Sequence, residues 1–354
     1  MAIPSAEKST YTFESVSDGD AAAIRARLLV PVLVAFVLLT AVCAVTPIPL
    51  LWQYVPFALS LVVLGLPHGA LDHLVPAWLD RRGQSLASIA RVVALYGVLA
   101  GATALLWMWV PTAAAIAFVA LTWFHWGQGD LYALVAINDS RYLDTAPLRC
   151  AAVVSRGGLP MLIPLVFHPE SFHMVLGASV SLFDRAGPTS TPLDDPTLRT
   201  VLAGSFIAFL VATALVTRRR CTAGDRRAWW RDQAEVVALL IFFVVVPPIL
   251  AVGLYFSLWH ALRHFVRLDS IGSVNREPLR TRVWDLARGA LPTTAAAIVL
   301  LVVMAVALPG AHDTGGAALG VYLVLISALT VPHVAVVSYM DYRQQLWRPV
   351  RSVR

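Results

Sequence analysis

Ten apolar runs follow one another between Leu28 and Ser338, separated by short polar connections. A run of about 20 such residues crosses bilayer hydrocarbon as an α-helix. Inside hydrocarbon the backbone N–H and C=O groups must pair within the segment, which a helix does. The pattern predicts an all-α, polytopic membrane helical bundle of about ten transmembrane helices. The spans fall near 28–47, 51–71, 88–109, 112–136, 150–167, 201–217, 233–247, 249–268, 289–308 and 317–338. Composition agrees: 58% of residues are hydrophobic and 14% charged, far below the roughly one quarter charged that a soluble domain carries. The Pro247-Pro248 pair divides one long apolar run into two helices joined by a tight turn.

Charge placement orients the bundle. The formal net charge is +6, and 26 of the 27 basic residues are arginine. They concentrate in every second connection, as in Arg81-Arg82, Arg218-Arg219-Arg220 with Arg226 and Arg227, and the tail bearing Arg343, Arg348, Arg351 and Arg354. The connections at 46–49, 110–112, 246–249 and 309–316 have none. This alternation follows the positive-inside rule and argues against a nucleic-acid patch. It predicts a multi-pass cell-membrane protein with both termini cytoplasmic. A polar tail over 1–24 is expected to be disordered, followed by one transmembrane domain over 25–342 and a basic tail over 343–354. Segments 168–199 and 218–231 read as long connections. Cys43, Cys150 and Cys221 lie too far apart in sequence for a CxxC site, and no disulfide framework is indicated.

Within this apolar chain the histidines carry the chemistry. His168, His173 and His312 fall in outer connections and read as solvated. His68, His125, His260, His264 and His333 fall inside even-numbered spans, where an ionisable ring needs a partner, a cavity or a metal. Counted from the outer ends of their helices, His68, His125, His264 and His333 lie about 14–18 residues down, so they share one layer. His260 stands one turn before His264 on the same face, the spacing by which one helix gives two imidazoles to one ion. An imidazole set without thiolate suits Fe, Cu or Zn. Haem between two histidines is the competing occupant, and it leaves the HxxxH pair unexplained.

The neighbouring residues are read by position. Asp72 follows His68 by one turn in Gly65-Leu66-Pro67-His68-Gly69-Ala70-Leu71-Asp72-His73 and is placed to accept the second imidazole proton of His68. His73 points elsewhere and reads as interfacial. In Trp123-Phe124-His125-Trp126-Gly127-Gln128-Gly129-Asp130, the small residues permit close helix approach and Asp130 reads as interfacial. Tyr255, Trp259 and Arg263 form one stripe, with Arg263 expected to snorkel to the cytoplasmic side.

Gly65 to His73, Phe124 to Asp130, Tyr255 to His264 and Val331-Pro332-His333 together resemble the Brp/Blh family of membrane β-carotene 15,15′-dioxygenases, over about Pro56 to Tyr342. Arg156-Gly157-Gly158-Leu159-Pro160 resembles a further family segment. The resemblance implies one Fe(2+) per chain, held by His68, His125, His260 and His264. It implies oxidative cleavage of β-carotene at the central double bond by O2, giving two retinals, with a retinal-binding rhodopsin as product recipient. An active site within the bilayer lets this water-insoluble polyene enter from membrane lipid. Asp72 and His333 are then supporting residues, and Trp123, Phe124, Trp126, Tyr255, Phe256 and Trp259 candidates for the substrate wall.

Other classes fit less well. A diiron desaturase needs more clustered histidine boxes than one HxxxH. A metal transporter commonly shows repeats or broken helices, and beyond Pro247-Pro248 the sequence reveals neither. A non-catalytic carotenoid- or retinal-binding paralogue shares the same residues, and product formation separates it from the enzyme.

Overall fold

The computed structural model describes residues 16–60, 62–184, 195–272, 279–308 and 316–348. These form helices joined by turns and short connections, with no strand among them. Helix α1 (Asp18–Ile24) passes through a π-helical stretch, Arg25–Leu29, into α2 (Val30–Val45). The second expected span is broken into α3 (Leu50–Gln53), α4 (Val55–Ser60), α5 (Gly65–Gly69), a 3-10 turn at Asp72–Leu74 and α6 (Val75–Leu79). Prolines 56, 67 and 76 each remove a helical donor here, and this interruption goes beyond the single break expected at Pro247-Pro248.

Helices α7 (Leu86–Trp109) and α8 (Pro111–Tyr132) follow, the latter running into a π-helical stretch at Ala133–Ile137. Next come α9 (Ala146–Phe167), α10 (Pro169–Val180), α11 (Pro196–Arg220) and α12 (Arg226–Val245). The turn at Pro247-Pro248 stands where expected: α13 (Pro248–Leu254) begins there and continues through a π-helical stretch, Tyr255–Ala261, into α14 (Leu262–Gly272). Helices α15 (Leu279–Ala307) and α16 (Ala317–Arg343) complete the chain. Eight helical segments among the described residues are long and apolar enough to cross a membrane. The expected spans 112–136 and 233–247 correspond to α8 and α12, which are helical but outside those eight.

Helices α2, α7 and α15 turn most of their surface outward, whereas α9, the α13–α14 rod and α16 are largely enclosed. Close approach of α8 and α9 depends on glycine. A Cβ on Gly127 would stand 2.1 Å from the Val153 carbonyl oxygen, and one on Gly157 would stand 1.8 Å from that of Trp123. Backbone contact at that range requires residues without side chains. An aromatic core of Phe36, Phe242, Phe243, Tyr255 and Trp259 fills the space between α2, α12 and the π-helical stretch.

The N-terminal tail departs from expectation over its last residues. Residues 1–15 lie outside the described residues, but α1 is ordered: the Ser17 side chain caps the Asp20 N–H, and Ala21 is buried beside Ile137 and Leu346. At the other end Leu346 is fully buried and Trp347 donates its indole N–H to Asp341 at 3.0 Å. The 168–199 connection contains α10, in contact with α16 where Gly320 meets the Ala178 carbonyl. Packing against neighbours gives these short segments order that their own sequence does not supply.

Candidate metal centre and cavity

Five histidines from four regions of the chain converge inside the bundle. His68 comes from α5, His125 from α8, His260 from the π-helical stretch, His264 from α14 and His333 from α16. Ring centroids of His125 and His260 are 4.7 Å apart. His333 lies 4.8 Å from His68, 4.8 Å from His125 and 5.0 Å from His264. All five are buried. His73, by contrast, is half-buried and donates its Nδ1–H to the Ala70 carbonyl at 3.0 Å.

The outer nitrogens of three rings are held by hydrogen bonds. His68 Nδ1 donates to the Gly65 carbonyl, inside its own short helix. His125 Nδ1 stands 3.3 Å from Gln128 Oε1. Gln128 in turn donates to Asp341 at 2.8 Å, and Asp341 accepts from Arg267 at 2.7 Å. His333 Nδ1 stands 2.7 Å from Asp72 Oδ2, which also accepts from the Tyr96 hydroxyl at 2.6 Å. With Nδ1 protonated, each neutral ring turns a bare Nε2 lone pair toward the others. The Nε2 atoms of His125 and His260 approach to 3.1 Å, and those of His264 and His333 are buried without a hydrogen-bond partner.

Ligand atoms from His68, His125 and His333 lie within 4.8 Å of one another, as do atoms from Asp72, His264 and His333. Convergent, orphaned imidazole nitrogens are what a divalent transition metal satisfies, so the donor set fits iron.

Several expectations about neighbours are corrected. Asp72 supports His333 rather than His68, because α5 ends at Gly69 and the 3-10 turn swings the carboxylate toward α16. Asp130 is not interfacial and Arg263 does not snorkel: both are about 2% exposed. Asp130 accepts the Trp259 indole N–H at 3.1 Å and lies 3.7 Å from Arg156 and 3.6 Å from Arg263. Glu235 accepts from Arg156 at 2.8 Å and from Arg263 at 3.3 Å. The Arg263 guanidinium stacks on the Trp259 ring at 3.5 Å. Two arginines and two carboxylates thus form a closed charge cluster immediately behind His260. Asp232 extends it toward the loop, accepting from Asn138 at 2.9 Å, Ser140 at 2.5 Å and Tyr142. Burial, with the Asp232 charge beside it, holds the Tyr142 hydroxyl well above the ordinary phenol range.

A cavity of about 400 Å³ opens onto His68, His125 and His333. Its walls are mostly apolar and include Trp126 and Phe256. The other expected wall residues do not line it. Trp123 donates to the Val154 carbonyl at 2.9 Å, Phe124 faces outward, and Tyr255 and Trp259 are fully packed in the aromatic core. Among the lining residues the exposed ones are Val93 of α7 and Thr293, Ala296 and Leu300 of α15. The cavity wall therefore reaches the outer surface of the bundle at α7 and α15.

Of the outer histidines, His168 bonds the Val244 carbonyl at 2.9 Å, His173 is half-buried, and His312 lies outside the described residues. Gln128, Tyr96, Asp341, Arg267 and Glu235 were not singled out as site residues from sequence. Their signal was present: Gln128 is three residues beyond His125, and Glu235 is an acid within an apolar run.

Comparison with known proteins identifies the family to which the chain belongs. Residues 59–341 match the family described as beta-carotene 15,15'-dioxygenase. The chain is 42% identical over 294 residues to a Halobacterium salinarum protein named "Probable beta-carotene 15,15'-dioxygenase Blh", covering 82% of this chain and 84% of that protein. It is 29% identical over 317 residues to the "Probable beta-carotene 15,15'-dioxygenase Brp" of the same species, covering 85% and 87%. A "Beta-carotene 15,15'-dioxygenase" from an uncultured marine bacterium is 26% identical over 210 residues, 59% of this chain and 67% of that protein. No solved structure matches. The chain, a helical membrane bundle with a buried histidine cluster, belongs to the Brp/Blh family of beta-carotene 15,15'-dioxygenases.

Proposed function

We propose that this protein is a non-haem Fe(II) dioxygenase of the cell membrane that cleaves β-carotene at its central 15,15′ double bond. The observation that carries the reading is a mostly apolar cavity whose inner wall presents His68, His125 and His333, the last with its Nε2 buried and without a hydrogen-bond partner. By the family resemblance His68, His125, His260 and His264 hold the iron, which supplies activation of dioxygen. The carbon chain gains both oxygen atoms of O2 and no other reactant is consumed: one C=C bond breaks and two aldehyde C=O bonds form, giving two retinals.

The protein's own residues do the positioning. Val93, Thr293, Ala296 and Leu300 frame the entrance through which a polyene leaves the lipid. Trp126 and Phe256 flank the histidines and hold the chain so that its centre, not its end, lies beside them. Cleavage position then follows from depth in the cavity. Gly65 O, Gln128 and the Arg267–Asp341 pair hold the imidazoles in one tautomer, and the surrounding apolar wall keeps water away. Retinal released at the same entrance returns to the bilayer, where a membrane-embedded rhodopsin is the natural acceptor.

Expression in β-carotene-accumulating bacterial cells tests this directly. Retinal is expected by chromatography from the intact chain and not from a variant with all four histidines changed to alanine. A well-expressed intact chain that leaves the carotenoid unbleached would favour a binding paralogue instead. Metal-ion uptake by vesicles holding the purified chain would point to the transporter.

A further inference from the structure

The resemblance accounts for four imidazoles, yet five meet in the cluster. His333 is not peripheral to the other four: its centroid lies within 5.0 Å of those of His68, His125 and His264. It also belongs to both groups of mutually close ligand atoms, whereas His260 belongs to neither. With His68 and His125 it faces the cavity.

The hydrogen bonds fix its tautomer. Asp72 Oδ2 takes one bond from the Tyr96 hydroxyl and one from His333 Nδ1. An ionised carboxylate only accepts, so Nδ1 carries the ring proton and Nε2 is left with its lone pair. That Nε2 is buried and has no hydrogen-bond partner. A merely structural histidine would leave this lone pair facing the lone pairs of its neighbours, which is unfavourable in a low-dielectric interior. Local sequence makes room for the ring: at Gly69 a Cβ would stand 3.3 Å from His333 Nδ1. A carboxylate behind an imidazole is the arrangement that orients metal-bound histidines and raises their basicity.

We propose that His333 is itself a ligand to the metal of this site, a fifth imidazole, with Asp72 and Tyr96 as its positioning residues. The inference rests on the iron reading above for the presence of a metal, and on its own hydrogen bonds for the identity of the ligand.

Purified full-length protein loaded with Co²⁺ provides the test, with spectra as readout rather than turnover. His333→Cys is expected to bind Co²⁺ and to gain a thiolate-to-cobalt charge-transfer band in the near ultraviolet. His73→Cys, on the same segment as His68, should show none. In the unaltered protein, proton NMR should resolve five hyperfine-shifted exchangeable imidazole N–H signals, a count that needs no variant to fold. Asp72→Asn should keep the ion but weaken its binding about 10–100-fold, and Tyr96→Phe should weaken it less. Four N–H signals, or a His333→Cys variant that binds Co²⁺ with the unaltered spectrum, would overturn the assignment while leaving the iron reading intact. A charge-transfer band from Asp72→Cys in place of His333→Cys would give the ligand role to residue 72. Failure of the unaltered protein to bind Co²⁺ or Fe²⁺ at all would overturn the metal reading itself, and the fifth ligand with it.

Discussion

The Nε2 atoms of His125 and His260 face each other at 3.1 Å, although 135 residues separate them in the chain. Gln128 occupies the opposite nitrogen of His125, so the facing atom is free to serve as an electron-pair donor. In the proposed iron site this pair of nitrogens would share one cation.

Removing an imidazole of the proposed ligand set should therefore remove the ion. His260→Ala and His264→Ala are each expected to lower the iron-to-protein ratio at least about tenfold, the lower edge of what even an indirect contact costs, and to abolish retinal formation. His73→Ala should retain its iron, because its ring is bonded to the Ala70 carbonyl. Elemental analysis of the purified variants decides, and stoichiometric iron with full activity in His260→Ala would remove it from the ligand set.

Substrate contact should track the cavity wall rather than the aromatic motif as a whole. Trp126→Ala and Phe256→Ala are expected to slow cleavage about tenfold, a barrier change of ~1.4 kcal/mol, or to shift the cleavage position. Phe124→Ala, on an outward-facing residue, should leave both unchanged. Product chromatography across the three variants checks this, and a Phe124→Ala effect as large as the other two would contradict the wall assignment.

Entry from lipid makes a separate prediction. Ala296 is exposed on α15 at the cavity mouth, so Ala296→Trp should obstruct a bulky polyene and cut retinal formation about tenfold or more with iron unchanged. Val34→Trp on the outward face of α2 is the matched control. Equal turnover in both variants would place the entrance elsewhere.

The charge cluster behind His260 should dominate stability. Arg156→Met leaves Glu235 and Asp130 sharing Arg263 alone, and breaking a buried pair in this way costs about 3–5 kcal/mol. A denaturant or thermal titration of the solubilised protein measures it. A loss under about 1 kcal/mol, the range of exposed pairs, would mean that water reaches the cluster.

Helix approach offers a paired test on glycine. Gly157→Ala directs a methyl group into the Trp123 carbonyl, a backbone atom that cannot swing aside, and should cost about 1–3 kcal/mol or more. Gly177→Ala on α10 meets nothing within 4 Å and should be neutral or stabilising by up to about 1 kcal/mol. Similar losses in the two variants would show that the α8–α9 contact is looser than 1.8 Å implies.

The sequence by itself determined the helical membrane bundle, the break at Pro247-Pro248 and the histidines that meet. These are local properties: apolar run length, proline's missing donor and the depth of a residue along its helix. The tertiary structure alone decided that Asp72 serves His333, that Arg263 is enclosed by Asp130 and Glu235, and that Trp126 and Phe256 rather than Phe124 and Trp259 face the cavity. The reason is angular. Prolines divide the segment carrying His68, and a π-helical stretch spans Tyr255–Ala261, so the side chains beyond each point in directions that regular 3.6-residue spacing does not give. Which neighbour stands in that direction depends on helices packed hundreds of residues away in the chain.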